Sequence, residues 1–168
     1  TTTKTSRNRS FTVPDGVEGD IQRTGINFMD QAGNAIIGFT PPYTSSPLVT
    51  VDNTAPTLTR VSIASNNADT AQAKTNDTIT VSFTGNETLQ NTPTVTILGE
   101  PAVVTNTSGN DWQATLLTSG DETEGFVNFN INFMDLAGNT GNPIGATTDG
   151  SAVHLDHTAP LLNSVTIT

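Results

Sequence analysis

Two repeated phrases put carboxylates beside amides and tight turns. Residues 131–139 read INFMDLAGN and residues 26–34 read INFMDQAGN, so that Asp135 opens an Asp-x-Ala-Gly-Asn run. Residues 51–56 read VDNTAP and residues 155–160 read LDHTAP, which places Asp52, Asn53 and Asp156 in short segments ending in proline. Glu18 and Glu87 stand in turn-forming stretches of their own. Carboxylate, amide and carbonyl oxygens are hard donors, and Ca²⁺ takes about six to eight of them at roughly 2.3–2.6 Å. The chain has no Cys, and its two histidines are His154 and His157, a poor supply for zinc or copper. A second chemistry competes. Asp-x-Ala-Gly-Asn is also a good turn without metal, because the Asp carboxylate bonds nearby N–H groups and Gly and Asn accept positive φ.

Other reactive arrangements are poorly supplied. His154 and His157 flank Asp156, but no serine stands in a recognisable nucleophile elbow. A glycosidase carboxylate pair needs a sugar cleft, and one Trp and one Tyr build little of one. Trp112 reads as a core residue, since an aromatic side chain buries a large area. Lys74 sits among polar loop residues, a setting unsuited to an isopeptide bond. The rows Thr78, Thr80 and Thr94, Thr96 read as ordinary strand threonines. Asn-x-Ser/Thr sequons occur at Asn8, Asn76, Asn86 and Asn106, usable only in a glycosylating host.

Composition narrows the partners. Sixteen acidic residues against six basic ones give a formal charge of −10 over 168 residues. Such a chain repels nucleic acid and anionic membrane. Apolar residues are 33% and recur in short bursts, which favours strands joined by polar turns over disorder. No apolar run approaches membrane-spanning length.

The elements that would position these acids follow from the repeat. The nine-residue phrases lie 105 positions apart (26 to 131), and the proline-ended ones 104 apart (51 to 155). TLTRVSI at 57–63 is answered by LLNSVTI at 161–167. A period of 104–105 residues is the size of one immunoglobulin-like sandwich. The expected organisation is the back half of one repeat with its linker (1–56), a complete repeat (57–160) and the first strand of a third (161–168). Seven strands are expected in the complete repeat: 57–65, 77–84, 93–98, 101–105, 111–118, 125–133 and 151–156. In 125–133, Val127, Phe129, Ile131 and Phe133 alternate with Asn128, Asn130 and Asn132. Asparagine is a poor strand former, so one face must be buried and the other wet. The fold class is therefore all-β, a two-sheet immunoglobulin-like sandwich in tandem. The N-terminal half keeps Ile26 and Phe28 but has Gln22 and Thr24 where apolar residues are wanted. Half a sandwich does not fold alone, so it needs further residues or another chain.

The ordered set DNTAP, ITVSF, PTVTI, a Trp strand and INFMDLAGN resembles the tandem bacterial immunoglobulin-like repeats of large extracellular adhesins. DNTAP is also similar to the end of the calcium-binding linkers of cadherins. The resemblance implies a non-enzymatic stalk on a cell surface, with neighbouring repeats as partners. In a sandwich of this kind the turns holding Glu87 and Asp135 lie at the end where the chain comes in. That end is near Asp52 and Asn53, and the acidic turn with Asp15, Glu18 and Asp20 belongs to the end of the preceding repeat. Glu18, Asp52, Asn53, Glu87 and Asp135 are thus expected around a shared calcium ion, with an affinity of roughly 10⁻⁴–10⁻³ M. Pro56 restricts φ and stiffens the joint. Asp156, with Asp121, Glu122 and Glu124, is expected to serve the next joint in the same way. Two other roles stay open: a filament subunit joined by strand donation, and a polysaccharide-binding accessory domain using Trp112 or Tyr43.

Overall fold

A computed structural model describes residues 18–20 and 49–167. The phrase at 26–34, the strand expected at 22–28, Asp15, Tyr43, Asn8 and the Asp20 side chain lie outside the described residues. The chain divides into two compact units, Thr1–Asn53 and Thr54–Thr168. In the first, strand β1 (Gly19–Asp20) pairs antiparallel with β2 (Thr50–Val51), Gly19 opposite Val51.

The second unit contains ten strands and no helix among its described residues. They are β3 (Leu58–Ser65), β4 (Gln72–Ala73), β5 (Thr78–Gly85), β6 (Thr94–Ile97) and β7 (Glu100–Pro101). Then come β8 (Val103–Ser108), β9 (Asp111–Leu117), β10 (Gly125–Phe126), β11 (Phe129–Asn132) and β12 (His154–Leu155). One sheet has the order β3-β5-β9-β8 and is antiparallel throughout. The other strands form β11-β6-β7 and β10-β12-β4, with β12 parallel to β4. This is an all-β unit of several mostly antiparallel sheets, consistent with a β-sandwich.

The alternation in the sequence explains the packing. Ile79, Val81 and Phe83 of β5 are buried, while the intervening Thr80 and Ser82 are half-exposed. Phe129, Ile131 and Phe133 are buried, and Asn128 and Asn132 are exposed. These residues join Val61 and Ile63 of β3, Val95 and Ile97 of β6, Ala114 of β9 and Leu155 of β12 in one apolar cluster. Two strands expected to be continuous are interrupted. The stretch 125–133 breaks at Val127 and Asn128, where the Val127 N–H donates to Val153 and the Asn128 carbonyl accepts from Leu98. The stretch 101–105 divides between β7 and β8. The β6–β7 hairpin turns on Leu98 and Gly99, at φ of 56° and 86°. Positive φ at both residues suits the twist of a two-residue hairpin, and Leu98 offsets its strain by packing on the core. Within the expected turn region after β3 lies the short strand β4. The outer edge of β3 is closed by hydroxyls: Thr148 accepts from the Val61 N–H at 3.0 Å and Ser151 from the Ile63 N–H at 2.9 Å. An edge closed in this way is poorly open to another strand.

Candidate metal centre

Asp135 extends the in-out alternation beyond β11. Phe133 points inward, Met134 is exposed and bridges Thr140, and Asp135 is fully buried. The chain then reverses through Gly138, whose φ is 96°. The Asp135 carboxylate organises that reversal. Its Oδ1 accepts from the N–H groups of Gly138 (2.7 Å) and Asn139 (2.8 Å), and its Oδ2 accepts from Asn139 Nδ2 (2.7 Å). Burial pushes the carboxyl up, but the bonds from Asn139, Gly138 and Ala137 outweigh it and hold the group below its ordinary value. No basic side chain contributes. A carboxylate has about four lone-pair sites, and the turn's own donors occupy most of them.

Glu87 approaches from the neighbouring loop. Leu89 bridges Asp135, and the Gln90 N–H donates to the Met134 carbonyl at 2.8 Å, which draws residues 86–90 alongside the Asp135 turn. Glu87 is half-buried. It and Asp135 offer carboxylate oxygens within 4.8 Å of each other. Two oxygens each roughly 2.4 Å from one ion are at most about 4.8 Å apart, so this pair has the spacing of two ligands of one cation.

The same loops grip the start of the domain. Asn86 and Thr57 bond reciprocally: the Thr57 N–H donates to Asn86 Oδ1 (2.8 Å) and the Asn86 N–H to the Thr57 carbonyl (2.9 Å). Asn139 Nδ2 donates to the Thr54 carbonyl at 3.3 Å. Pro56 is fully buried. Residues 54–57 are therefore pinned onto the acidic loops, a role of Asn86 and Asn139 that composition alone did not single out. In the first unit Glu18 Oε1 accepts from the Asn53 N–H at 3.2 Å, and Asp52 is half-buried.

At the other end of the domain each acid is engaged by its own surroundings. Asp156 and Asp121 are exposed, and Asp156 Oδ1 accepts from the Thr158 N–H at 2.9 Å. Glu122 folds back on its own loop, accepting from the Ser119 N–H (2.8 Å), the Ser119 hydroxyl (3.1 Å) and the Gly120 N–H (2.8 Å). Partial burial opposes ionisation there, yet these bonds prevail and lower the Glu122 carboxyl to about 2. Glu124 bonds His157 and Thr158. His154 stacks edge-on against Phe126 at 5.3 Å. Trp112 is half-buried and packs against the core, and Lys74 is exposed.

No protein-family model matches the chain, and neither a curated protein nor a solved structure does.

Proposed function

We propose that the chain is a non-enzymatic stalk module of an extracellular, adhesin-type repeat protein, built from immunoglobulin-like sandwiches in tandem with calcium at their joints. The strand order supports the fold type. An immunoglobulin sandwich sets its first, second, fifth and fourth strands in one sheet and its third, sixth and seventh in the other. The order β3-β5-β9-β8 corresponds to the first set, and β6, β10–β11 and β12 to the second. The observation that carries the functional reading is the Glu87–Asp135 pair, two carboxylates at ligand spacing on the loops that pin residues 54–57. On this reading the linker residues Asp52 and Asn53 supply further oxygens to the joint, while Glu18 holds the Asn53 N–H. A cation there neutralises the charges and couples the linker to the sandwich.

The test is removal of the metal. Chelator added to the calcium-loaded chain lowers the melting temperature and changes the scattering-derived length. A chain with the same melting temperature and length in both states has no calcium joint.

One observation favours a filament subunit as the second reading. Leu161, Leu162, Val165 and Ile167 are all more than 70% exposed, although Val165 and Ile167 repeat the buried Val61 and Ile63 of β3 at a spacing of 104 (61 to 165). Donation of this segment to a second copy gives concentration-dependent oligomers in sizing chromatography, and a monomer at every concentration removes the reading.

A further inference from the structure

We infer that Glu18 and Glu124 form the same latch, one per repeat, which fixes the direction of each Asp-x-Thr-Ala-Pro linker through hydrogen bonds and without a cation. The inference stands independently of the calcium reading. The two latches share a construction that the sequence period hides. Each glutamate precedes a glycine that opens a short strand, Gly19 in β1 and Gly125 in β10. Each glycine pairs antiparallel with the last residue before a linker, Val51 and Leu155 respectively. In both cases the carboxylate reaches the N–H two residues beyond that partner. Glu18 Oε1 accepts from Asn53 at 3.2 Å, and Glu124 Oε1 accepts from His157 at 3.0 Å. Glu18 and Glu124 are 106 positions apart (18 to 124), whereas the linkers are 104 apart, so aligning the phrases never sets the two glutamates opposite each other.

The latch gives the Asp, His and Thr of LDHTAP a task each. At the second linker the Asp156 carboxylate takes the Thr158 N–H at 2.9 Å. The Thr158 hydroxyl donates to Glu124 Oε1 at 2.7 Å. Glu124 thus accepts from two consecutive linker residues, and the residue after Asp supplies only its backbone, which is why Asn53 and His157 can differ. The Thr158 hydroxyl thus adds a second bond to the latch at this linker. Its bond is the largest influence holding the Glu124 carboxyl below its ordinary value. The charged group facing Glu124 is the His157 imidazole, 3.3 Å away; Lys74 and Asp156 line a shallow hollow beside His157 and Thr158. Glu18 and Glu124 are positioning residues: they hold the linker and touch no ligand.

The experiment follows the His157 and Asn53 amide protons by NMR in the full chain, with and without chelator. An N–H bonded to a carboxylate reports that carboxylate's titration. The His157 amide shift moves with pH at a midpoint below 4.5, and Glu124→Gln abolishes the movement. Glu18→Ala speeds exchange of the Asn53 amide. Glu124→Ala speeds His157 amide exchange roughly two- to tenfold, the span of one net hydrogen bond, while the Val81 amide stays protected and reports an intact fold. Thr158→Val raises the midpoint seen at His157. Titration that persists in Glu124→Gln, or exchange unchanged in Glu124→Ala or Glu18→Ala, overturns the latch. Loss of His157 protection on chelation alone also overturns it, because the cation would then be the holder.

Discussion

At the scale of single residues, the acids of this domain separate by what holds them. Asp135 is buried and bonded to its own turn, whereas Asp156 and Asp121 are exposed. Replacing Asp135 by Ala leaves the Gly138 and Asn139 N–H groups without their acceptor, a loss of about 1–3 kcal/mol measurable by urea unfolding. Asp135→Asn keeps an acceptor for those donors and loses less stability, and on the calcium reading it would weaken metal binding, so the two variants separate the turn from the proposed metal. The pH dependence has a defined sign. Asp135, Glu122 and Glu124 have carboxyls lowered by folding. Such a group stabilises the fold above its unfolded value, and that stability is lost as pH falls through the folded value. The urea midpoint is therefore expected to fall below pH 4.5, and Glu122 extends the fall down to about 2. Glu122→Gln flattens its lowest part. These groupings were only partly legible beforehand. The residue types of the Asp135 turn were readable because Asp, Gly and Asn have local conformational preferences. The bonds of Asn86 to Thr57 and Asn139 to Thr54 span 29 and 85 positions, and no local preference encodes them.

At the scale of elements, alternation was the reliable signal. The buried faces of β5 and β11 could be read because the side-chain period of a strand is two and the intervening residues are Thr or Asn. Ile131 is fully buried in that face, and Ile131→Ala is expected to cost about 2–5 kcal/mol, again by urea unfolding. Interruptions were not readable. The break falls at Val127 and Asn128, which bond two different segments, Val127 to Val153 and Asn128 to Leu98. Gly141 marks another such place. A Cβ there would lie 2.2 Å from the Phe133 ring, and its N–H donates to the Phe133 carbonyl. Gly141→Ala is expected to destabilise by about 1–3 kcal/mol, with the Phe133 ring signals shifted in the NMR spectrum.

At the scale of the whole molecule, the net charge of −10 bears on how copies of the chain, or the repeats proposed for it, associate. Like-charged modules repel, and salt screens that repulsion over roughly 10 Å at 0.1 M. The calcium reading predicts that added magnesium or sodium chloride restores less of the chelated chain's melting temperature than stoichiometric calcium does, as followed by calorimetry. Simple screening predicts equal restoration. The segment 161–167 belongs to this scale as well. It has the composition of β3 but not its burial, because a strand's apolar face is stable only against a second layer.

The period of 104–105 residues, the alternating faces and the acidic turn types were all determined by the sequence itself, since repetition, side-chain periodicity and turn chemistry are properties of neighbouring residues. Tertiary structure alone decided which loops meet. It set Glu87 beside Asp135, closed the edge of β3 with Thr148 and Ser151, and brought Glu124 to a linker 33 positions away. Those contacts depend on strand register and sheet order, which are fixed by the packing of the entire core and leave no signature in any short stretch of the chain.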